Sequence, residues 1–522
     1  MIIAIKRAKR FSPNSEDKDA RILQTTCDLL KDSGFDVRVV SEEGFKLQEG
    51  VDAYISMARS EEALNELRKA GDVPVLNDPD AVLRCQNRRE LLGIIGDAEF
   101  LIPPSTGGKG YWIKKNLGYT ECEDDVVYAA NEAERDAAIA AMKARGIKDV
   151  YSEAHIEGDL VKFYGVANTP FFRFYYPDED GDMKFSNKGL NGKPHYFSFD
   201  DVELQETADI AANSLGLDFY GGDCIVKRNG HIVFIDFNDW PSYSRCCDDA
   251  AEYIAITVIK TLINKDKELL AEKILNGDFE GIIFDYGGTL DSGGMHWGKR
   301  IWHAYQEAEV PVDEALFREA YVHAERTLAK NPIIKPDFDF TDTLEAKLKI
   351  ELEYIQQHIE GFYPDEWFED ILDILIMQTE DETLKSLFIL SAFFKQCCKK
   401  MVLVSNFYGN INSVLKQFQL EGYFSDVIES SVVGVRKPDP EIFRLGMKAL
   451  GISDPSKVLV IGDSYEKDIL PAHEIGCKTL WFMGEGWNAK IPDGKAADWA
   501  ITDWEDVRMV DEYENKKYYY KH

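Results

Sequence analysis

Residues 284–291 read Phe284-Asp285-Tyr286-Gly287-Gly288-Thr289-Leu290-Asp291, at the end of the short apolar run Ile282–Asp285. A carboxylate at the C-terminal edge of a strand, followed by glycines, can attack an incoming phosphorus while backbone N–H groups hold the phosphoryl oxygens. A glycine-rich turn with an exposed carboxylate reads the same way, so the stretches further along the chain decide between the two. Val404-Ser405-Asn406 closes a second apolar run, Val402–Ser405, with a hydroxyl. Gly434-Val435-Arg436-Lys437-Pro438-Asp439-Pro440 fixes a lysine before a proline. Val460-Ile461-Gly462-Asp463-Ser464-Tyr465-Glu466-Lys467-Asp468 ends the run Val458–Asp463 with acids suited to Mg²⁺. Thr479–Phe482 is the next short apolar run. Between the first two runs, helical patterns cover Trp297–Glu307, Asp313–Ala329, Thr343–Ile359 and Pro364–Thr379, a helical insert over the strand ends.

In this order the four motifs closely resemble the haloacid dehalogenase superfamily over about residues 280–510. The resemblance implies a Rossmann-like core with a helical cap of the type that encloses small substrates. It makes Asp285 the nucleophile that forms an aspartyl-phosphate, with Ser405 and Lys437 holding the transferring group. Asp463 binds Mg²⁺ with Asp285 and the backbone carbonyl of Gly287, and Asp468 is a supporting acid. One position departs from the pattern. Phosphatases of the superfamily carry a second Asp two residues after the nucleophile as general acid, and Gly287 stands there. General acid catalysis contributes about 10²–10⁴-fold, so alkyl phosphates are expected to react slowly, and acyl phosphates or pyrophosphates less so. A phosphatase with a substituted acid, another chemistry of the superfamily, and a site kept for binding all remain open. Asp291 and His296 stand near enough in sequence to donate instead; for His296 a cap or hinge role is the plainer reading.

The first half has another texture. Short apolar runs (Ile2–Ile5, Asp36–Val40, Ala53–Ser56 and Pro74–Leu76) alternate with helical patterns at Asp19–Lys31 and Ser60–Ala70, a small α/β unit with a parallel sheet. Longer strands of antiparallel character follow: Tyr111–Lys114, Val126–Ala129, Val150–Ala154, Leu160–Val166, Phe171–Tyr176, Asp223–Lys227 and Ile232–Phe237. Arg228-Asn229-Gly230-His231 joins the last two as a tight hairpin. Asp223 on one arm and Asp236 and Asn238 on the other come to the same end of that hairpin. Asp236 and Asn238 share a face, and three such oxygen ligands suit Mg²⁺ bridging nucleotide phosphates; a merely polar hairpin face is the alternative.

Tyr111-Trp112-Ile113-Lys114, Tyr151-Ser152-Glu153-Ala154-His155-Ile156-Glu157-Gly158 and Leu160-Val161-Lys162, after the small α/β unit with Asn77-Asp78-Pro79, make residues 1–265 similar to the ATP-grasp superfamily. The resemblance implies that Lys114 and Lys162 contact phosphate or adenine and that the Glu153–Ile156 backbone meets the adenine edge. It further implies that Asp223, Asp236 and Asn238 hold Mg²⁺ and that Arg173 meets substrate or the γ-phosphate. Arg88 or Arg89 replaces the usual lysine, and Asp236 stands where relatives carry Glu. Most members are ligases that activate a carboxylate as an acyl phosphate; a minority are kinases.

The chain has 522 residues, a length that suits about three to four domains. With 60 Lys and Arg against 93 Asp and Glu, the net charge is −33, which argues against general nucleic-acid or membrane partners. The nine cysteines are scattered without a CxxC, no run of 18 apolar residues occurs, and MIIAIKRAKR is unlike a secretory signal, so the cytoplasm is the expected location. The expected organisation is α/β and α+β multidomain. It comprises a leading α/β domain at 1–95, an ATP-grasp domain at 96–265 and a linker at 266–279. A hydrolase core at 280–292 and 395–515 then carries a cap at 293–394. The final YYYKH stands outside the fold. The expected function is bifunctional: an ATP-using ligase or kinase acting on a small phosphorylated or carboxylated metabolite, joined to a Mg²⁺-dependent phosphohydrolase. A nucleotide- or phosphometabolite-binding scaffold with one or both sites inactive is the rival.

Overall fold

The computed structural model describes residues 1–507 except 13, 14, 99, 108, 120, 121, 178–192, 266–269, 278 and 489; the YYYKH tail lies outside the described residues. The chain divides into two compact units, Met1–Val258 and Ile259–His522. No helix among the described residues is long and apolar enough to cross a membrane.

The first unit opens with β1 (Ile2–Lys6), β2 (Val37–Ser41), β3 (Ala53–Ser56) and β4 (Val75–Leu76), all parallel in the order β2-β1-β3-β4. Ile2, Ile3, Ala4 and Ile5 are all buried, as an unbroken apolar run in a sheet covered on both faces requires. A three-stranded antiparallel sheet follows, with β5 (Tyr111–Lys115) between β6 (Val126–Ala129) and β7 (Val150–Ala154). Helix Glu132–Ala144 seals it, packing Ala138, Ile139 and Met142 against Tyr111 and Ile113.

The second antiparallel sheet contains β8 (Asp159–Val166), β9 (Phe172–Tyr175), β10 (Phe219–Val226) and β11 (Ile232–Asp239), in the order β11-β10-β8-β9. Helices Arg88–Asp97 and Asp201–Leu215 bury Leu91, Ile95, Ala208 and Leu215 against Val161, Phe163 and Phe234 of its strands. Gly230, at φ +82°, turns the β10–β11 hairpin, a left-handed conformation that costs glycine little.

The second unit holds β12 (Gly281–Phe284), β13 (Lys400–Ser405), β14 (Asp426–Glu429), β15 (Val458–Gly462), β16 (Lys478–Phe482) and β17 (Trp499–Ile501). They form one parallel sheet in the order β14-β13-β12-β15-β16-β17. Strand β12 therefore lies between β13 and β15, and the loops leaving these three strands meet at one edge, where parallel sheets bind ligands.

Four helices separate β12 from β13: Trp297–Glu307, Glu314–Lys330, Phe340–Gln356 and Phe368–Ile389. Their apolar faces (Ile301, Ala304, Phe317, Leu344, Leu348 and Leu375) belong to one core with Phe284 and Leu403 of the sheet. The fourth helix runs ten residues beyond the expected end at Thr379, because Thr379, Thr383 and Ser386 continue its buried face with small polar residues instead of apolar ones.

Part of the expected linker is structured. Leu270–Leu275 is a helix that buries Leu270 and Ile274 in the same core as Phe279 and Ile282. The rest of the stretch, at 266–269 and 278, lies outside the described residues. Its high charge hid Leu270 and Ile274, four apart on one helical face.

Candidate functional site

In the second unit, Asp285 follows β12 directly, Ser405 is the last residue of β13, and Asp463 follows β15. The carboxylates of Asp285, Asp463 and Asp468 each offer an oxygen within 4.8 Å of the others. Lys437 is buried, and its Nζ stands 2.6 Å from Asp285 Oδ1 and 2.6 Å from Asp468 Oδ1. Burial and the neighbouring Asp285 and Asp468 push the Asp463 carboxyl well above the usual range. Burial likewise pushes Asp468 up, to about 6. Burial opposes the Lys437 charge, yet Asp285 and Asp468 raise its pKa. Three hard oxygen donors crowded at this distance, with one ammonium among them, fit a divalent cation such as Mg²⁺.

Small residues permit this approach. A Cβ on Gly288, at φ +96°, would stand 2.3 Å from Asp463 Cγ. The buried hydroxyl of Thr289 accepts the Asp463 N–H at 3.0 Å, and Trp481 Nε1 donates to the Asp463 carbonyl at 2.8 Å. Asn406 fixes Lys437: its Oδ1 accepts the Lys437 N–H at 2.9 Å and its Nδ2 donates to the Lys437 carbonyl at 3.1 Å. Thr289 and Asn406 stand inside the motifs quoted above, where nothing local marks either as a positioning residue.

A cavity of about 190 Å³ joins Asp285, Gly287, Ser405, Lys437 and Asp463 to cap residues Trp297, Tyr321, Glu325, Phe340 and Lys347. At Gly287 no side chain enters it. Asp291 is tied down: Oδ1 accepts from Gly288 N at 2.7 Å and Oδ2 from Trp297 Nε1 at 2.9 Å, while burial pushes its pKa to about 6. His296 caps the first cap helix, its Nδ1 accepting from Gly298 N at 3.0 Å, and burial pushes its pKa down to about 3. A ring that is neutral at pH 7 has no acidic proton to give, so the capping role accounts for it. Lys347 and Glu325 went unread, although a lysine within the apolar stripe Phe340, Leu344, Leu348 and Leu352 is a signal of its own.

In the first unit the hairpin register places Asp223 directly opposite Asp236, and Gly221 opposite Asn238. Lys162, opposite Asp223 on β8, ion-pairs with Asp223 Oδ1 at 2.7 Å. Asp236 Oδ1 accepts from Arg88 NH1 at 2.9 Å, whereas Arg89 reaches Asp149 at 3.2 Å. Lys114 Nζ lies 2.5 Å from Glu153 Oε1 and 3.5 Å from the Ile235 carbonyl on β11. Glu153 is buried with Oε2 unpartnered. Ile156 is half-buried in the connection between β7 and β8.

A second cavity, of about 290 Å³, is lined by Lys162, Asp223, Asn238, Pro241 and Ser242 together with Arg7, Asp19 and Arg59. Arg173 is not among its lining; its NH2 pairs with Asp249 at 3.3 Å. Arg7 and Arg59, also unread, form a buried network with Asp19 and Asp239 in which Arg59 Nε donates to Asp239 Oδ2 at 2.9 Å. The carboxylates and cations of this lining suit Mg²⁺ and a nucleotide's phosphates.

A haloacid dehalogenase-like hydrolase family model matches residues 279–476. The pyrimidine 5'-nucleotidase of Escherichia coli strain K12 is 30% identical over 112 residues, covering 21% of this chain and 49% of that protein. The glyceraldehyde 3-phosphate phosphatase of Pyrococcus furiosus is 33% identical over 100 residues, covering 19% of this chain and 41% of that protein. The chain thus spans about half or less of these curated relatives. A solved RimK domain ATP-grasp protein from Sphaerobacter thermophilus is similar at 17% identity and a TM-score of 0.37, over 50% of this chain and 100% of that one. By its motifs and family match the stretch 279–476 is a haloacid dehalogenase-like hydrolase domain, and the first half carries two antiparallel sheets after a small parallel one.

Proposed function

We propose that the chain is a bifunctional enzyme, a Mg²⁺-dependent phosphohydrolase in its second half and an ATP-using ligase in its first. The Asp285–Asp463–Asp468 cluster bridged by Lys437 supports this reading most. Asp285 is the nucleophile. Its carboxylate oxygen bonds to phosphorus as the bond from phosphorus to the leaving oxygen breaks, and that oxygen departs with the electron pair. Water then attacks phosphorus, freeing Asp285 and inorganic phosphate. Lys437 holds the Asp285 carboxylate in place and, with the Ser405 hydroxyl, meets the phosphoryl oxygens. Asp285, Asp463 and the Gly287 carbonyl would hold Mg²⁺, with Asp468 behind; the ion supplies charge neutralisation at the phosphoryl oxygens. Because Gly287 offers no proton, acyl phosphates and anhydrides are favoured over alkyl phosphates.

In the first half, Lys114, Glu153 and the backbone near Ile156 would hold the adenine end of ATP. Lys162 and Arg88 would hold its phosphates, with Mg²⁺ at Asp223, Asp236 and Asn238. The activated substrate is a small carboxylated metabolite. A kinase is separated from a ligase by ADP formation with and without an added amine. Gly287 favours one second reading, a phosphometabolite-binding domain without turnover. The deciding experiment is phosphate release from acetyl phosphate and p-nitrophenyl phosphate with Mg²⁺. Hydrolysis that Asp285→Asn abolishes is the expected result; its absence with both compounds leaves the binding reading.

A further inference from the structure

Strand β16 is followed by Met483-Gly484-Glu485-Gly486-Trp487, a core loop outside the four motifs. Glu485 is buried and meets two cations of the first cap helix, Trp297–Glu307. Lys299 Nζ stands 3.0 Å from its Oε1, and His303 Nε2 2.6 Å from its Oε2. Burial raises the Glu485 carboxyl, yet His303 and Lys299 hold it below its ordinary value. The Glu485 carbonyl accepts the His296 N–H at 3.0 Å, where that helix begins. Two residues on, the Trp487 ring lies so close to the same helix that a Cβ on Gly298 would stand 2.2 Å from it. Arg318, on the second cap helix Glu314–Lys330, lies 4.3 Å over that ring and donates to the Trp487 carbonyl at 2.9 Å. Trp487 in turn backs two residues of the cavity lining, Tyr321 at 4.8 Å and His296 at 5.3 Å between ring centroids.

The third cap helix, Phe340–Gln356, is fastened to the core by neutral groups. Asn410 Nδ2 donates to the Phe338 carbonyl at 3.0 Å and to Thr343 Oγ1 at 2.7 Å, and Gln417 Oε1 accepts the Phe340 N–H at 2.7 Å. The fastening at Glu485 is ionic, with Lys299 and His303 half-buried. Such a pair adds little net stability, because desolvation offsets the attraction. What it does here is join a core loop to a cap helix 182 positions away in the chain. A substrate that binds only when the cap is seated has its apparent affinity reduced by the fraction of molecules in that arrangement.

We infer that Glu485 is a positioning residue for the reaction at Asp285: through His303, Lys299 and Trp487 it keeps the first two cap helices seated over the cavity, with Tyr321 and His296 in its wall. Its effect on turnover rests on the hydrolase reading of the Asp285 site; the seating itself does not.

The test has two arms on the full-length chain with Mg²⁺, steady-state hydrolysis of acetyl phosphate and amide hydrogen exchange read by mass spectrometry. Glu485→Ala is expected to raise KM about tenfold and leave kcat within about twofold, as a tenfold smaller seated fraction requires. Exchange is expected to quicken in 297–307 and 483–488 and to stay unchanged in 410–417. Glu485→Gln keeps one acceptor and adds a donor for a neutral His303, so its KM is expected within about threefold of the parent, the difference between a charged and a neutral hydrogen bond. Arg318→Ala, which frees Trp487 from the cap side without touching Glu485, is the second variant and is expected to raise KM severalfold. An unchanged KM in both alanine variants, a fall in kcat alone, or exchange that quickens equally in 410–417 overturns the inference. If the parent chain does not hydrolyse acetyl phosphate, the hydrolase reading fails, and the exchange arm alone decides whether Glu485 seats the cap.

Discussion

At Gly287 a Cβ would meet Trp297 Cδ1 at 3.7 Å and Asp291 Oδ2 at 4.0 Å, both ordinary contacts. A Cβ therefore fits there, and the position lacks a side-chain acid. Gly287→Asp is expected to speed release of phosphate from glycerol 3-phosphate by about tenfold or more, since a placed general acid contributes about 10²–10⁴-fold. Acetyl phosphate, whose leaving group departs without a proton, should change little, and equal effects on both compounds would contradict the acid argument. The next residue behaves oppositely. Gly288→Ala drives a methyl into the Asp463 carboxylate and is expected to abolish hydrolysis of both compounds. In the first half, two adjacent arginines are separable in the same way. The side chain of Arg88 is 13% exposed and pairs with Asp236, while that of Arg89 is 61% exposed and pairs with Asp149. Arg88→Ala should weaken ATP binding about tenfold, the loss of one charge-assisted contact. Arg89→Ala should leave it unchanged. Fluorescence titration with a nucleotide reads both.

The cap helix Phe340–Gln356 carries its chemistry on the face that packs. Phe340, Leu344, Leu348, Leu352 and Ile355 form its buried stripe, and Lys347 and Glu351, four apart, interrupt it. Glu351 is fully buried, with Oε1 unpartnered and Tyr305 OH 3.5 Å from Oε2. Burial pushes its pKa up to about 7, against the pull of Lys347. In the unfolded chain this carboxyl titrates at its ordinary value of 4.5. Between these two values the folded state binds more protons, so stability falls as pH rises from about 4.5 to 7 and stays low above that. Glu351→Gln removes this dependence. It is expected to stabilise the second unit at pH 8 by a few kcal/mol, given about 1.4 kcal/mol per pKa unit, and to have little effect near pH 4.5. Melting temperatures across that range measure it. A loss of stability at pH 8 would show that the Glu351 charge holds Lys347 in place more than its burial costs.

Across the whole chain, what was legible in the sequence divides by the range of the contacts involved. Asp285, Ser405 and Asp463 each follow or end an apolar run, and parallel pairing of those runs brings them together without further information. The hairpin register was legible for a related reason, since an Asn-Gly turn fixes which residues of two arms oppose each other. The pairing of Arg173 with Asp249 was not legible, because the two lie 76 positions apart. The cap pair was missed because Glu325 and Lys347 meet between two helices, 22 positions apart. The two units have separate sheets and separate clusters of charged residues. Their chemistry should therefore be separable in the intact chain. Asp285→Asn is expected to abolish phosphate release from acetyl phosphate while ATP turnover stays within about twofold, since sites with no shared partners add within about 0.3–0.5 kcal/mol. Asp236→Ala with Asn238→Ala should do the reverse. Each variant is assayed for both activities under the same Mg²⁺ and salt conditions, because an anionic substrate meets a chain of net charge −33 whose repulsion salt screens. If Asp285→Asn also stops ATP turnover, the two halves share a step, and the product of one is the substrate of the other. If the double variant leaves ATP turnover intact, the Asp223–Asp236–Asn238 assignment is wrong and the first half holds its nucleotide elsewhere.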